Sequence, residues 1–536
     1  MYVDARFDRK DDQIHVVERV NGKREYRTFP ARYTFYYDDP KGKYRSVYGD
    51  PVSRIVCKNT KSFQKEKRVM SNKRLYESDV NPINQCLQTN YMDSPIPDLH
   101  ICFWDIESSF DPKRGHAPPS DPFCAITAIT VYLKWVDQLI TVAVPPPSLS
   151  MADARKLCTE KWDNQVFLYE TESEMLSAFL LLIEDADVLS GWNCSAYDIP
   201  YTINRISRVM SKSDTRDMCL WGQFPKSRTY ERYGKEQKTY DLTGRVNMDY
   251  LDLYKKYTYE ERASYKLDSI GELEVGERKT QYEGTLDQLY NRDFELFIEY
   301  NRQDVALLNK LDQKFAYIDL TIASAHENTV LMPATLGSVA IIEQAIINEA
   351  HLHGMVVPDK ISKDDDTSMA GGYVGKPIKG IHSWIGSIDL NSLYPSTIRA
   401  LNMAPETLIG QLRPTETHAH VESVLHRGDS FASAWEERFC CLEYQVVMDQ
   451  SADQLVTIDW ETGRSETMSG SQAYNLIFNT NKPWVLSANG TIFTTERKGV
   501  IPDLLTKWYS DRKQMQRQKK SWARMETGIE LPERFL

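Results

Sequence analysis

The sequence predicts a multidomain protein of mixed α/β and α+β class, and three observations carry that expectation. Its 536 residues exceed the roughly 100–200 residues of one ordinary domain several times over. Between Leu99 and about Leu320, β-rich runs alternate with amphipathic helices, the pattern of an α/β domain. Hydrophobic residues make up 41% and charged residues 26%, a globular balance that leaves little room for disorder. Lys and Arg number 65 against 76 Asp and Glu, for a net charge of −11. A general basic coat is excluded, so any nucleic-acid contact must use local basic surface. The richest apolar run, Ala178–Ile183, falls far short of the roughly 20 residues of a membrane span. The start, MYVDARFDRK, lacks the apolar core of a signal peptide. Nine cysteines, an odd number with no CxxC pair, point to reduced thiols. The expectation is a cytoplasmic protein without membrane association.

Residues 1–98 read as short strands, Ile14–Arg19 and Tyr33–Tyr37 among them, separated by charged turns. His100–Ile106, Ala125–Trp135 and Leu139–Val144 read as further strands, and Ala152–Leu157 as helical. In Glu172–Glu184 the residues Met175, Phe179, Leu182 and Ile183 recur at helical spacing. Val188–Trp192 reads as a buried strand, Pro200–Val209 as a helix and Tyr230–Tyr240 as a hairpin. Long helices are expected at Phe294–Phe315 and Leu336–His351. A polar break at Ser362–Ser368 and the Gly-rich connector 371–375 precede a second domain. That domain opens on the strand Trp384–Leu390, and the chain's last helix spans Pro502 to about Met525.

Asp105-Ile106-Glu107 is the sharpest chemical signal. Residues i and i+2 of a strand share one face, so both carboxylates point the same way. Parallel carboxylates repel unless a cation lies between them, and oxygen-only ligands suit magnesium or manganese better than zinc. A solvated strand face is the alternative, made less comfortable by apolar Ile101, Phe103, Trp104 and Ile106. The second piece is Gly191–Tyr201, in which Asp198 precedes Pro200 and reads equally as a helix N-cap. The third is Tyr300-Asn301-Arg302-Gln303-Asp304, whose i, i+4 spacing sets phenol and carboxylate on one helix face; its alternative is a buried polar pair. Four carboxylates and a phenol suit two-metal phosphodiester hydrolysis, with Tyr300 orienting the attacking water.

FWDIE, GWNCSAYDIPY and YNRQD, in this order and separation, resemble the three exonuclease motifs of proofreading B-family DNA polymerases. The resemblance implies a ribonuclease-H-like fold and 3′→5′ exonuclease activity. It makes Asp105, Glu107, Asp198 and Asp304 ligands of Mg²⁺ or Mn²⁺. Tyr197 stands where the second motif usually has Phe, a departure that leaves the carboxylate untouched.

Asp389-Leu390-Asn391-Ser392-Leu393-Tyr394-Pro395-Ser396 follows an apolar run and precedes a helix-like stretch. Locally the aspartate reads as a cap; with free backbone N–H groups after it, the turn also suits a metal-bound triphosphate. DLNSLYPS resembles motif A of the same polymerases. By resemblance, Asp389 and the Leu390 carbonyl bind metal, Ser392 and Leu393 meet the triphosphate, and Tyr394 excludes a 2′-hydroxyl. Gly371, Gly372 and Tyr373 resemble the template-contacting connector, with a plain hinge as the alternative. Lys507–Arg524 carries seven basic residues against the one acid Asp511. It reads as a solvated amphipathic helix or, by resemblance to T-even-like phage members of the family, as the first fingers helix, with Arg512 on the triphosphate. Asp249–Tyr257 and Pro405–Thr407 look like those phage enzymes too.

The resemblance implies an N-terminal domain over 1–98 completed by about 320–360, an exonuclease domain over 99–319, a partial palm over 361–497 and a fingers portion over 498–536. The family's second fingers motif, its Tyr-Gly-Asp-Thr-Asp turn and its thumb do not occur in this sequence. Tyr48-Gly49-Asp50 runs into Pro51 and lies before the exonuclease motifs. The expectation is therefore the N-terminal subunit of a split DNA-dependent DNA polymerase acting in viral DNA replication. A second, C-terminal polymerase chain would complete fingers, palm and thumb; primer-template DNA and dNTPs would be the further partners, and a sliding clamp would be reached through that second chain. The alternatives are a stand-alone 3′→5′ exonuclease and a non-catalytic nucleic-acid-binding regulator.

Overall fold

The computed structural model describes residues 1–232, 235–361, 377–390, 392–435 and 438–527. The chain forms two compact units. The first comprises Met1–Tyr33, Val56–Glu66 and Val80–Gln344; the second comprises Thr34–Ile55, Lys67–Asp79 and Ala345–Leu536.

The first unit is built on a six-stranded sheet. Its strands are β1 (Ile101–Ser108), β2 (Ile126–Leu133), β3 (Gln138–Ala143), β4 (Val166–Leu168), β5 (Val188–Ser190) and β6 (Val246–Asn247), in the spatial order β4-β3-β2-β1-β5-β6. The β1–β2–β3 meander is antiparallel, whereas β5 runs parallel to both β1 and β6. Helices cover the sheet: α1 (Glu172–Leu182), α2 (Asp198–Val209) and α3 (Phe294–Phe315). α1 begins where the sequence supplies a capping box, Thr171 accepting from the Glu174 N–H at 3.3 Å and Glu174 returning to the Thr171 N–H at 3.2 Å. Its Met175, Leu176 and Phe179 pack with Trp104, Ile106, Ile129 and Val131 in one core cluster. The apolar stripe of α3, Phe294, Phe297 and Ile298, buries against Ala128 and Ala143. These small residues let the helix lie close to β2 and β3. A hairpin of Lys226–Arg232 and Lys235–Asp241 occupies the expected Tyr230–Tyr240 region.

A three-stranded antiparallel sheet, Tyr2–Asp8, Gln13–Val20 and Lys23–Pro30, also belongs to this unit. Arg19 from it reaches Asp187, at the threshold of β5, in a two-pronged ion pair of 2.8 and 2.7 Å. Asp187 further accepts the His100 N–H at 3.0 Å. Both side chains are removed from solvent, so the pair is an internal pin between two sheets.

α4 (Ser338–Leu352) begins in the first unit and ends in the second, which also holds α5 (Leu393–Ala400) and the last described helix, α6 (Val500–Thr527). An antiparallel sheet contains β7 (Leu408–Leu412), β8 (Leu455–Trp460), β9 (Ser465–Ser469), β10 (Trp484–Leu486) and β11 (Thr491–Thr494), in the order β9-β8-β7-β11-β10. A second sheet orders Met355–Val356, Tyr44–Ser46, Pro51–Cys57, Tyr33–Asp38 and Leu75–Tyr76.

The expected strand Trp384–Leu390 does not form. A strand needs a neighbour for its N–H and C=O groups, and none of the described strands pairs with it. Its apolar residues instead face solvent, Trp384 at 101% and Ile388 at 93% of full exposure. α5 starts earlier than its expected stretch, at Leu393, and takes Pro395 into its first turn, where a missing N–H costs no helical hydrogen bond. All nine cysteines are free thiols. No described helix is long and apolar enough to cross a membrane.

Candidate exonuclease site and motif A segment

β1 places Asp105 and Glu107 on one face, opposite Thr130 and Ala128 of β2. One α3 turn supplies Tyr300 and Asp304. Ligand oxygens of Asp105, Glu107 and Asp304 all lie within 4.8 Å of one another. Asp198, buried as the first residue of α2, joins from the side, its Oδ1 accepting the Ile106 N–H at 3.4 Å. The sequence left Asp198 open between cap and ligand. Tyr197 takes the N-cap position without a side-chain cap bond, so the Asp198 carboxylate is free to face β1.

The loop between β5 and α2 is held by Asp249. Its carboxylate accepts the N–H groups of Asn193 at 2.9 Å and Ser195 at 3.0 Å. Gly191 is required here, because an added Cβ would stand 2.8 Å from the Trp104 carbonyl. The Tyr197 hydroxyl, the departure from Phe, lies 3.4 Å from Ser108 Oγ, and its ring stacks on Tyr201 at 5.2 Å. The extra polar atom thus finds a partner without entering the cluster.

Two further residues complete the site. Asn301, quoted in the third motif but given no role, donates from Nδ2 to Asp105 Oδ2 at 2.9 Å. Its own Oδ1 accepts from Thr130 Oγ1 at 2.5 Å, so the amide is locked and Asp105 is aimed. Lys279 was not foreseen. Its ammonium donates to Tyr300 at 3.2 Å and to Asp304 Oδ2. A lone lysine in a polar stretch carries no periodic signal, and only the fold brings it to Asp304, 25 residues further along the chain.

Burial raises the pKa of all four carboxylates. Asp105 is raised first by burial and then by Asp198, Asp304 and Glu107; Glu107 by burial and then Asp304. Asp198 is raised by burial against the opposing pull of backbone N–H groups, and Asp304 by burial against Lys279. Burial alone would lower the Lys279 ammonium, but Asp304, Tyr300 and Asp105 outweigh it and hold it raised. Asp304 Oδ1 is buried with no hydrogen-bond partner. Converging oxygen donors, an orphan carboxylate oxygen and an ammonium already drawn into the group together fit a hard divalent cation.

In the motif A segment Asp389 and Leu390 lie in irregular, exposed chain, Leu390 at 64% exposure. Ser392, at φ +54°, caps α5, which begins with Leu393 and Tyr394. Ser392 Oγ accepts from Arg512 of α6 at 3.3 Å. Arg399 of α5 stacks over the Tyr509 ring of α6, 4.3 Å from its centroid. Two of the expected triphosphate contacts therefore come together, while Tyr394 stands 73% exposed. Gly371, Gly372 and Tyr373 lie outside the described residues.

Residues 52–270 match the model for the DNA polymerase family B exonuclease domain. Residues 332–527 match that for DNA polymerase family B. The chain is similar to the DNA-directed DNA polymerase of Escherichia phage RB69, 28% identical over 261 residues, covering 48% of this chain and 29% of that protein. It is likewise similar to that of Enterobacteria phage T4, 28% identical over 255 residues, covering 47% of this chain and 28% of that one. The DNA polymerase delta catalytic subunit of Schizosaccharomyces pombe is 27% identical over 337 residues, covering 59% of this chain and 29% of that subunit. The matched stretches thus span under a third of these relatives' length. Both matched regions are thus similar to one family, DNA polymerase family B: the first, to its exonuclease domain, holds Asp105, Glu107 and Asp198, and the second, to a segment of its polymerase part, holds Asp389 and Arg512.

Proposed function

We propose that the chain is the 3′→5′ proofreading half of a split DNA-dependent DNA polymerase, completed for synthesis by a second polypeptide. The observation that carries the exonuclease reading is the convergence of Asp105, Glu107 and Asp304, with Asp198 beside them, on a buried point that also holds Tyr300 and Lys279. The domain reading follows the same proposal: an N-terminal domain over 1–98 completed by about 320–360, a ribonuclease-H-like exonuclease domain over 99–319, a partial palm over 361–497 and the first fingers helix over 498–536.

Asp105, Glu107, Asp198 and Asp304 would hold Mg²⁺ or Mn²⁺, which when bound supplies Lewis-acid stabilisation and an acidified water. Asn301 fixes the Asp105 oxygen so that the carboxylate presents one face. The Tyr300 hydroxyl orients the attacking water, and Lys279 holds that hydroxyl and Asp304 in place. Buried Ile106 and Trp104 beneath the acids limit bulk water on that side.

For synthesis, Asp389 and the Leu390 carbonyl would bind metal. Ser392, Leu393 and Arg512 would meet the triphosphate at the N-terminus of α5, and Tyr394 would lie under the sugar. Gly371, Gly372 and Tyr373 would touch the template. Phosphoryl transfer of this kind needs more than one palm carboxylate. The exposed apolar segment around Ile378, Ile381, Trp384, Ile385 and Ile388 supports a further palm strand supplied by the second chain. Primer-template DNA and dNTPs are the proposed substrates, and a sliding clamp would be reached through that chain.

The test is 3′-end digestion and primer extension by the purified chain with Mg²⁺ and dNTPs. Digestion without extension, abolished in Asp105→Ala/Glu107→Ala with the fold retained, is the expected result. Digestion that survives the double substitution would overturn the site. Extension by the pure chain alone would overturn the split.

A further inference from the structure

The second unit holds a side-chain cluster that neither the exonuclease reading nor the motif A reading uses. Glu349, in the last turn of α4, and His353, one residue past its end, lie one helical turn apart. Asp503, in the first turn of α6, meets them. His353 Nε2 stands 3.2 Å from Glu349 Oε1 and 3.4 Å from Asp503 Oδ2, and the three ligand atoms all lie within 4.8 Å of one another.

We propose that Glu349, His353 and Asp503 form a binding site for a transition-metal dication of the zinc type. Three arguments support it. One imidazole N–H has a single hydrogen and cannot serve two carboxylates fully, so the ligand atoms converge more closely than their hydrogen bonding requires. A tetrahedral ion with bonds of about 2.0–2.2 Å sets neighbouring ligand atoms about 3.3–3.6 Å apart, against the 3.2 and 3.4 Å found here. The location also favours positive charge. His353, whose backbone N–H closes onto the Glu349 and Ala350 carbonyls, stands at the C-terminal end of α4, where the helix dipole concentrates negative potential.

The nitrogen donor separates this cluster from the all-oxygen exonuclease group and selects zinc, cobalt or nickel over magnesium. Three protein ligands leave a fourth position for water. The Glu349 side chain is 11% exposed and anchors the site; His353 at 46% and Asp503 at 41% leave an entry path. A bound ion would tie the end of α4 to the base of α6, the helix that presents Arg512 to Ser392. This inference stands independently of the polymerase reading.

The test uses the full chain carrying Asp105→Ala/Glu107→Ala, which removes the exonuclease acids from the metal count. Zn²⁺ is titrated calorimetrically, and Co²⁺ by visible absorbance. One equivalent of Zn²⁺ and the intense bands of four-coordinate Co²⁺ are expected. His353→Ala, and separately the isosteric Asp503→Asn, should each weaken Zn²⁺ at least about tenfold with the metal-free melting temperature unchanged. Absence of a stoichiometric Zn²⁺, weak six-coordinate Co²⁺ bands, or the same affinity in Asp503→Asn would each overturn the site and leave an ordinary His–carboxylate contact.

Discussion

Asp105 owes its orientation to Asn301, Asp304 is ion-paired with the ammonium of Lys279, and Glu107 feels that ammonium only at longer range. Replacing Lys279 by Met leaves the Asp304 charge buried and unpaired, a change worth roughly 3 kcal/mol. The melting temperature should fall in EDTA and recover substantially in millimolar Mg²⁺, because the cation takes over the lost countercharge. Equal loss under both conditions would show that Lys279 acts only by packing. The pH dependence has a definite sign. Burial and then the Asp304 charge push the Glu107 carboxyl up from the ordinary carboxylate range to about 8. Between the unfolded and folded values the native state therefore binds the extra proton. The contribution to stability is fully present at low pH and is lost as pH climbs through about 8. Without divalent cation, Glu107→Gln should be more stable than the parent at pH 8 and lose most of that advantage by pH 5. Mg²⁺ affinity should run the opposite way, weakening as pH drops, since ligands must shed protons to bind. The carboxylates and Tyr300 were legible because strand period two and helix period four are local rules. Lys279 and the role of Asn301 were not, because both depend on contacts that no local rule encodes.

Among the elements, most strands and helices lie where alternation, periodicity and caps place them. Phe294–Phe315 agrees at both ends, for its apolar stripe and its Asp293 cap, which accepts the Leu296 N–H at 3.0 Å, mark the same limits. Trp384–Leu390 shows the converse. Its composition is that of a buried strand, yet strand formation depends on a partner edge that the segment itself cannot provide. The pinning of the N-terminal sheet by Arg19 and Asp187 is likewise a property of two elements distant in sequence. Asp187→Ala removes the two-pronged acceptor of the Arg19 guanidinium, whose side chain is 2% exposed, leaves it only Asp185 and the Gly22 carbonyl, and should cost about 2–3 kcal/mol in urea unfolding. Asp187→Asn, which keeps the His100 N–H acceptor, should cost less. α6 is seated comparably. Asn402 receives the Gly499 N–H at 3.0 Å and donates to the Thr494 and Arg497 carbonyls, each at 2.8 Å.

At the scale of the whole molecule, a net charge of −11 coexists with the basic helix α6, so nucleic-acid binding would be concentrated on local surface and weaken steeply with salt. Trp384 and its apolar neighbours stand in solvent. If a second polypeptide completes the palm, the acrylamide-quenchable emission lost in Trp384→Phe should become protected when that polypeptide is added. Persistent quenching in an extension-competent complex would place the contact elsewhere. The sequence by itself determined the α/β order of the exonuclease unit, the four acidic positions and the motif A string, because each rests on spacing within a few residues. The tertiary structure alone decided that Lys279 enters the acidic group, that Arg512 reaches Ser392, that His353 meets Asp503, and that Trp384–Leu390 stays unpaired. The reason is physical: propensity and periodicity are set by neighbours along the chain, whereas countercharge, ligand convergence and strand pairing are set by whatever the folded chain brings within a few ångströms.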